Sequence, residues 1–194
     1  TQGLNCIHVD GRNGGMVIEK NIFYRFPNGI SCSHPDMLLL NNIFVDAERR
    51  GISLGERGMD FFLSPEGEPI MSNISGWAAK LKSLNYKQPP WNYRFPQLAE
   101  ALMEKTPMRT KDTIVERNIN TGGPFIAMGG IAAEDNPVRN NWDGEDLLFM
   151  DRENMNFNIR PGSPVYGLTG CEPLSVNDIG VYEDSLRATW PIKR

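Results

Sequence analysis

Three carboxylates fall close together when the repeats near the start of the chain are aligned. His34 and Glu56 share one row of equivalent positions, Asp10 belongs to the adjacent row, and Asp36 lies two positions beyond His34. Neighbouring strands lie about 4.8 Å apart, so Asp10 and Glu56 are expected roughly 9–10 Å apart along the stack. Inverting glycosidases hold their carboxyl groups about 6.5–9.5 Å apart, and retaining enzymes about 5–5.5 Å apart. The spacing therefore permits acid–base work by Asp10 and Glu56, with Asp36 or His34 assisting.

Basic and aromatic side chains near these carboxylates are candidates for binding a substrate. His8 and His34 are the only histidines, and an imidazole can bond sugar hydroxyls or tune a carboxylate. Arg12 and Arg57 each lie within two positions of a candidate carboxylate. Trp91 could pack its ring on the C–H face of a sugar, as could Trp77 and Tyr93.

Each of these residues also has a purely structural interpretation. Asp10 precedes Gly11 as turn residues often do, and Asp36 could cap the turn that follows Pro35. Glu56 beside Arg57 could be a solvated ion pair that contributes little. The histidines could be ordinary surface residues, and the tryptophans could pack a loop onto the body of the protein.

The elements that would position these residues are strands of a repeat. Gly-Ile-Ser occurs at 29–31 and again 22 residues later at 51–53. Cys-Ile-His at 6–8 aligns with the first of these copies at an offset of 23 residues. Apolar residues alternate within each copy, which is the period of a strand with one buried face. The inward positions are Ile7, Val9, Ile30, Cys32, Ile52 and Leu54, and the outward positions are His8, Asp10, Ser31, Ser33, Ser53 and Gly55.

A second repeated motif carries an asparagine. Asn21 and Asn42 are 21 residues apart in two Asn-Ile-Phe copies, and Asn118 stands in a third copy that reads Asn-Ile-Asn. An asparagine at the same corner of each repeat can bond its neighbours and form a ladder. Short strands, turn residues and a period of 21–23 predict the coils of a parallel β-solenoid.

The repeat divides the chain into four segments of one continuous domain. Repeated strands are predicted for 1–58 and again for 111–150, with an irregular terminal cap over 151–194. Residues 59–110 contain no copy of either motif, and FPQLAEALMEK has helical spacing behind Pro96. We therefore expect an excursion with one or two short helices there.

Composition excludes several classes of partner and site. The net charge is −4 with no stripe of Lys or Arg, which argues against nucleic acid or an anionic membrane. No apolar run approaches the roughly 18 residues of a membrane-spanning helix, so no membrane insertion is expected. Three cysteines without metal-ligand spacing favour free thiols, and no metal or cofactor is predicted.

Several motifs resemble one group of proteins. The chain is similar to the C-terminal part of bacterial right-handed parallel β-helix proteins of the carbohydrate-active group, which includes glycoside hydrolases and pectate-lyase-like proteins. The resemblance spans nearly the whole chain, and the motifs that carry it are HVDGRNGG, NNIFVDA, GERG, YKQPPWNYRFPQL and PGSPVYGLTGCEPLSVNDIGVYEDSLRATWP.

The resemblance implies a fold, an activity and a location. It implies an all-β right-handed parallel β-helix with a partly helical excursion and an irregular C-terminal cap. It also implies a secreted or periplasmic hydrolase of complex plant or microbial polysaccharides or oligosaccharides. Members usually carry further coils upstream, so an N-terminal part of the same protein is the expected partner of the first strands.

The chain departs from the family pattern at the candidate site. The family's Asp before Gly maps onto Asp10, but another Asp that commonly precedes an Arg-Gly turn is replaced by Gly55 followed by Glu56. The family's Gly-Arg-Asp turn appears as SHPD, which keeps Asp36 and places Pro35 where the Arg would stand. Either Glu56 supplies the carboxylate from one position along, or the pair is incomplete and the protein inactive.

Two other functions remain open from the sequence. A polysaccharide lyase would need a base such as Arg12 or Lys20, and often Ca²⁺ held by carboxylates. A non-catalytic glycan-binding solenoid is favoured if the departure at Gly55 removed the chemistry.

Overall fold

A computed structural model describes residues 4–10, 13–59, 62–64, 68–96, 109–145, 148–176 and 179. Strands dominate these residues. The strands are β1 (Asn5–His8), β2 (Val17–Glu19), β3 (Ile22–Cys32), β4 (Leu38–Leu40), β5 (Ile43–Gly55), β6 (Ile114–Glu116), β7 (Ile119–Thr121), β8 (Ile126–Gly129), β9 (Val138–Arg139), β10 (Trp142–Asp143), β11 (Phe149–Asp151) and β12 (Asn156–Ile159). The helices are α1 (Met71–Ser83), α2 (Trp91–Arg94) and α3 (Pro164–Thr169), with a 3₁₀ turn over Arg57–Met59.

The larger parallel sheet has the strand order β1-β3-β5-β7-β10, and β8 also pairs with β5. Ile7 lies opposite Ile30 and Ile30 opposite Ile52, which is the register predicted from the repeat. Ile126 of β8 continues the same row, although the sequence motifs did not point to it. The alternation is also confirmed, since Ile30, Cys32, Ile52 and Leu54 are buried.

The smaller sheet has the order β2-β4-β6-β9, again entirely parallel. Between the two sheets, each chain segment turns through a residue with positive φ and then an asparagine. The positive-φ residues are Lys20 (58°), Asn41 (51°), Arg117 (59°) and Asn140 (53°). Because every copy makes the same turn, the asparagines that follow are stacked in one row.

The predicted asparagine ladder is present and has one more member than predicted. The Oδ1 atom of Asn42 accepts hydrogen bonds from both the backbone N–H and the side chain of Asn21, each at 3.1 Å. Asn118 receives the same two bonds from Asn42, and Asn141 receives them from Asn118. Asn42 and Asn118 are fully buried, so the ladder satisfies backbone groups that water cannot reach.

The core between the sheets explains the glycine of the Gly-Ile-Ser motif. Phe44 is fully buried and stacks on Phe23 with ring centroids 4.8 Å apart. A Cβ atom on Gly29 would lie 2.3 Å from the carbonyl oxygen of Gly51 and 2.9 Å from the Phe44 ring. The repeat therefore needs glycine here because the aromatic core and the next strand occupy the space of a side chain.

The variant Gly29→Ala tests this packing. We expect a loss of about 1–3 kcal/mol in the free energy of unfolding, the usual effect of overpacking a core. The matched control is Gly76→Ala in α1, where nothing lies within 4 Å of the added atom. That change should be neutral or stabilise by up to about 1 kcal/mol, since alanine favours helix. Urea denaturation measures both, and an equal effect of the two substitutions would refute the close packing at Gly29.

Helices stand where the sequence predicted an excursion. In α1, Ile74 and Trp77 face a small cluster formed by Met59 and Phe62, with the Trp77 and Phe62 rings 5.7 Å apart. This contact supports the packing interpretation of Trp77. The helix predicted for FPQLAEALMEK, at 95–105, falls mainly outside the described residues, since 97–108 are not among them.

The C-terminal part packs on the outer face of the larger sheet. Strands β11 and β12 form an antiparallel pair, and Phe157 joins a cluster with Ile43 and Ile119. Helix α3 begins after Ser163, whose hydroxyl accepts a hydrogen bond from the N–H of Val165, and ends at Gly170 with φ at 68°. The chain is thus all-β in character with mostly parallel sheets. The four predicted segment boundaries stay predictions.

Candidate functional site

The candidate residues meet where three parallel strands end. Asp10 follows β1, His34 follows β3, and Glu56 follows β5, each within two residues of the strand end. The paired register ends with Cys32 opposite Leu54, and a Cβ atom on Gly55 would lie 3.3 Å from the Ser33 hydroxyl. That His34 lies level with Glu56 stays a prediction of the repeat, and the groups that act on the His34 ring are Val9, Asp10 and His8.

Glu56 is a partly buried carboxylate, and its neighbours shift its pKa in opposite directions. Its Oε2 atom accepts a hydrogen bond from the backbone N–H of Thr110 at 3.4 Å, and the Thr110 hydroxyl donates to the carbonyl of Gly55. Arg109 is the cation near it, with Nε 3.9 Å from Oε1. Burial raises the pKa of Glu56, and Thr110 and Arg109 offset part of that effect. A carboxyl group with a raised pKa suits a general acid.

His34 is buried, which rules out the interpretation of this residue as an ordinary surface histidine. The residue is only 3% exposed, and its carbonyl accepts a hydrogen bond from the Thr113 hydroxyl. Burial lowers the pKa of the ring, while a hydrogen bond to the Val9 backbone and the charge of Asp10 oppose this. Its Nδ1 atom has no hydrogen-bond partner among the described residues. His34 can act on nearby charges, but direct contact with a substrate would require it to move.

His34 predicts a pH dependence of stability. Because the pKa of His34 in the folded protein lies below the usual value of 6.5, the unfolded chain takes up the proton first as pH falls. The free energy of unfolding is therefore highest above about pH 6.5, where the ring is neutral in both states, and it falls as the pH drops below that value. Urea unfolding between pH 5 and 8 measures how steeply the free energy of unfolding falls with pH. This pH dependence should be present in the wild type and smaller in His34→Gln. The exposed His8→Gln variant is the control, and an equal change in its slope would contradict the assignment.

Asp10 is exposed at the edge of the larger sheet, and its backbone carbonyl accepts a hydrogen bond from the side chain of Asn13. Its charge acts on His34, so these two residues are close in space as predicted. His8 is also exposed, with its ring 3.4 Å from the side chain of Asn5. The predicted binding residue Arg12 lies outside the described residues.

Asp36 has a clear backbone role in the turn before β4. Its φ is 57°, and the same left-handed conformation occurs at Gly15 before β2 and at Asp112 before β6. Its N–H donates to the carbonyl of Lys111 at 3.0 Å, which joins two neighbouring turns. These contacts support the turn interpretation, and a catalytic part for Asp36 stays a prediction.

The remaining predicted binding residues are at the surface. Arg57 is exposed in the 3₁₀ turn directly after Glu56. Trp91 is 37% exposed and stacks on Phe95 with ring centroids 6.3 Å apart, and Tyr93 is 87% exposed.

Two residues at the site were missed by the sequence analysis. Arg109 and Asp135 form an ion pair of 2.7 Å, and the same Arg109 faces Glu56. The signal was available, because Asp135 follows Asp112 by 23 residues and the Asp112 N–H donates to the Asp135 carbonyl. Extending the asparagine row from Asn118 to Asn141 would have placed Asp135 in the aligned turns.

Across the described ranges, no group of three or more His, Cys, Asp or Glu side chains is arranged to hold a metal ion. The helices within those same ranges are too short or too polar to cross a bilayer.

The chain was compared with known proteins in three ways. It matches no protein-family model, and neither the curated proteins nor the solved structures contain a significant match.

Proposed function

We propose that the described parallel strands are coils of a right-handed β-solenoid. Two parallel sheets pair strands from successive repeats at offsets of 21–23 residues, and the asparagine ladder marks one corner of each coil. Right-handed crossovers are the rule for parallel strands of one sheet. The strands β1 and β2 stand at the ends of their sheets, which suits a further coil from an N-terminal part of the same protein.

On this solenoid, the protein acts as a glycoside hydrolase on a complex polysaccharide, with the active site at Glu56. The observation that carries this function is a partly buried carboxyl group of raised pKa, beside a sheet edge that also bears Asp10. An acid of this kind can protonate a glycosidic oxygen while a second carboxylate activates water or attacks the sugar. The sequence predicts Asp10 as that second carboxylate. A secreted or periplasmic location belongs to the same proposal and rests on the resemblance.

The alternative of a lyase loses one of its two candidate bases. Lys20 forms an ion pair of 2.8 Å with Glu172, and this contact raises the pKa of the lysine. A lyase base must give up its proton at working pH, so the ion pair opposes that role. Arg12, the other candidate, lies outside the described residues.

A glycan-binding module without catalysis is the second candidate. The exposed ring of Tyr93 and the half-exposed ring of Trp91 favour it, since sugars pack on such surfaces. In this case the chain would retain glycans without cleaving them.

One screen separates the three functions. The chain is incubated with a panel of plant and microbial polysaccharides, and reducing ends, ultraviolet absorbance and retention of the protein on insoluble glycan are measured. The proposed hydrolase releases reducing ends without ultraviolet-absorbing products. Unsaturated products would indicate a lyase, and retention without cleavage would indicate a binding module.

A further inference from the structure

Arg109 connects two carboxylates that are far apart in sequence. Its Nη2 atom lies 2.7 Å from Asp135 Oδ2, and its Nε atom lies 3.9 Å from Glu56 Oε1. Both nitrogens belong to one small planar guanidinium group, so these carboxylate oxygens can be at most roughly 9 Å apart. That limit lies within the span of carboxyl pairs in glycoside hydrolases, which is about 5–9.5 Å across the two mechanisms.

The two carboxylates differ in their surroundings in the way that an acid and its partner require. Asp135 receives the close ion pair, whereas Glu56 is more than an ångström farther from the same cation. Burial raises the pKa of Glu56 despite that cation. Their side chains are 30% and 38% exposed, so both are accessible to a ligand at the surface. Glu56 is thus the group suited to carry a proton, and Asp135 is the group paired directly with Arg109.

A buried polar atom without a partner follows the neighbouring strand β3. His34 stands two residues beyond the end of β3 and is 3% exposed, and its Nδ1 atom has no partner among the described residues. Buried polar atoms in folded proteins nearly always have a partner. A water molecule or a sugar hydroxyl at this edge would provide one.

We propose that Asp135 is the second carboxylate of the site and that Arg109 is the residue that positions it opposite Glu56. The inference rests on the proposed hydrolase function and replaces Asp10 in the pair. Glu56 transfers its proton to the glycosidic oxygen as the bond from that oxygen to the anomeric carbon breaks. Asp135 either takes a proton from the water whose oxygen bonds to that carbon, or bonds to the carbon itself and is then displaced by water.

The coupling of the three groups can be measured without any substrate. We would follow the titration of the Glu56 carboxyl carbon by NMR in the full chain. In Arg109→Gln the titration should move to higher pH, because a cation that favours the charged form is lost, and Arg109→Lys should restore much of the shift. In Asp135→Asn it should move to lower pH, since Arg109 is then free to pair with Glu56. Arg139→Gln and Asp151→Asn are matched controls that should leave it unchanged.

The catalytic role is tested on whichever glycan the wild type cleaves. Asp135→Asn should lose about 100-fold or more of kcat/KM, as Glu56→Gln does, while the control Asp151→Asn keeps most of it. Arg109→Gln should move the alkaline limb of the pH profile upward, and Arg109→Lys should move it back. A merely structural role of Arg109 would not produce that movement.

The outcomes separate the two proposals. If Glu56→Gln loses turnover but Asp135→Asn retains it, Asp135 is not the partner and the inference is overturned while the hydrolase function stands. The inference is also overturned if the pH at which Glu56 titrates is the same in the wild type, Arg109→Gln and Asp135→Asn. If the wild type cleaves nothing, the hydrolase function fails and the catalytic role of Asp135 fails with it.

Discussion

Replacing Glu56 by Gln is expected to lower the rate of glycan hydrolysis by about 100- to 10,000-fold, the usual contribution of a positioned general acid. The substitution keeps an oxygen that can accept the Thr110 N–H, so the local structure should persist. It removes the only transferable proton of the side chain. Initial rates of reducing-end release, measured on equal amounts of folded protein, give the ratio.

The control for this substitution lies on the same strand. Glu48 is an exposed residue of β5, and Glu48→Gln changes the net charge by the same amount. It should retain full activity. Because the pKa of Glu56 is raised in the folded protein, the charged form weakens the fold as pH rises above the usual carboxyl value of 4.5. Glu56→Gln should therefore be at least as stable as the wild type at neutral pH. Full activity of a folded Glu56→Gln protein would remove Glu56 from the mechanism.

Replacing Asn118 by Leu is expected to lower the free energy of unfolding by about 3–5 kcal/mol, since each buried group left without a partner costs about 1–3 kcal/mol. The Asn118 side chain donates to the carbonyls of Leu39 and Glu116 and accepts from the backbone and side chain of Asn42. Leucine satisfies none of these groups. Chemical denaturation followed by circular dichroism measures the loss.

Asn21 provides the matched control at the end of the same ladder. It is only partly buried, and its side chain donates to Asn42 and to the carbonyl of Glu19. Water can replace these bonds, so Asn21→Leu should lower the stability by only about 1 kcal/mol. Similar losses at Asn118 and Asn21 would show that the ladder does not stabilise the fold in proportion to its burial.

The strand register could be predicted because identical residues recur with the period of a strand. Ile7, Ile30 and Ile52 alternate with polar residues, and a slip by one position would expose all of them. The asparagines were predictable for a similar reason, since a turn that needs the same backbone bonds in each repeat keeps the same side chain. Asn141 was missed because the residues after it, Trp142 and Asp143, do not repeat the Ile-Phe of the first copies.

The candidate site was only partly predictable. Its row positions follow from the repeat, but the direction of a side chain beyond a strand end depends on the turn. The sequence therefore left open whether His34 lies at the surface, and the structure buries it. Asp135 stands 23 residues after Asp112, so its place in the aligned turns could have been found from the repeat. The ion pairs of Arg109 with Asp135 and Glu56 form only when distant segments pack together, and a sequence period does not reveal such pairs.

The most direct test of the central claim is mass spectrometry of glycan products formed in water enriched in the heavy oxygen isotope. Hydrolysis at the Glu56 site predicts one heavy oxygen at each new reducing end with the wild type, and almost no product with Glu56→Gln. Products that lack the label and are lighter by one water molecule would identify elimination instead. Labelled products formed equally by wild type and Glu56→Gln would contradict the account of the site.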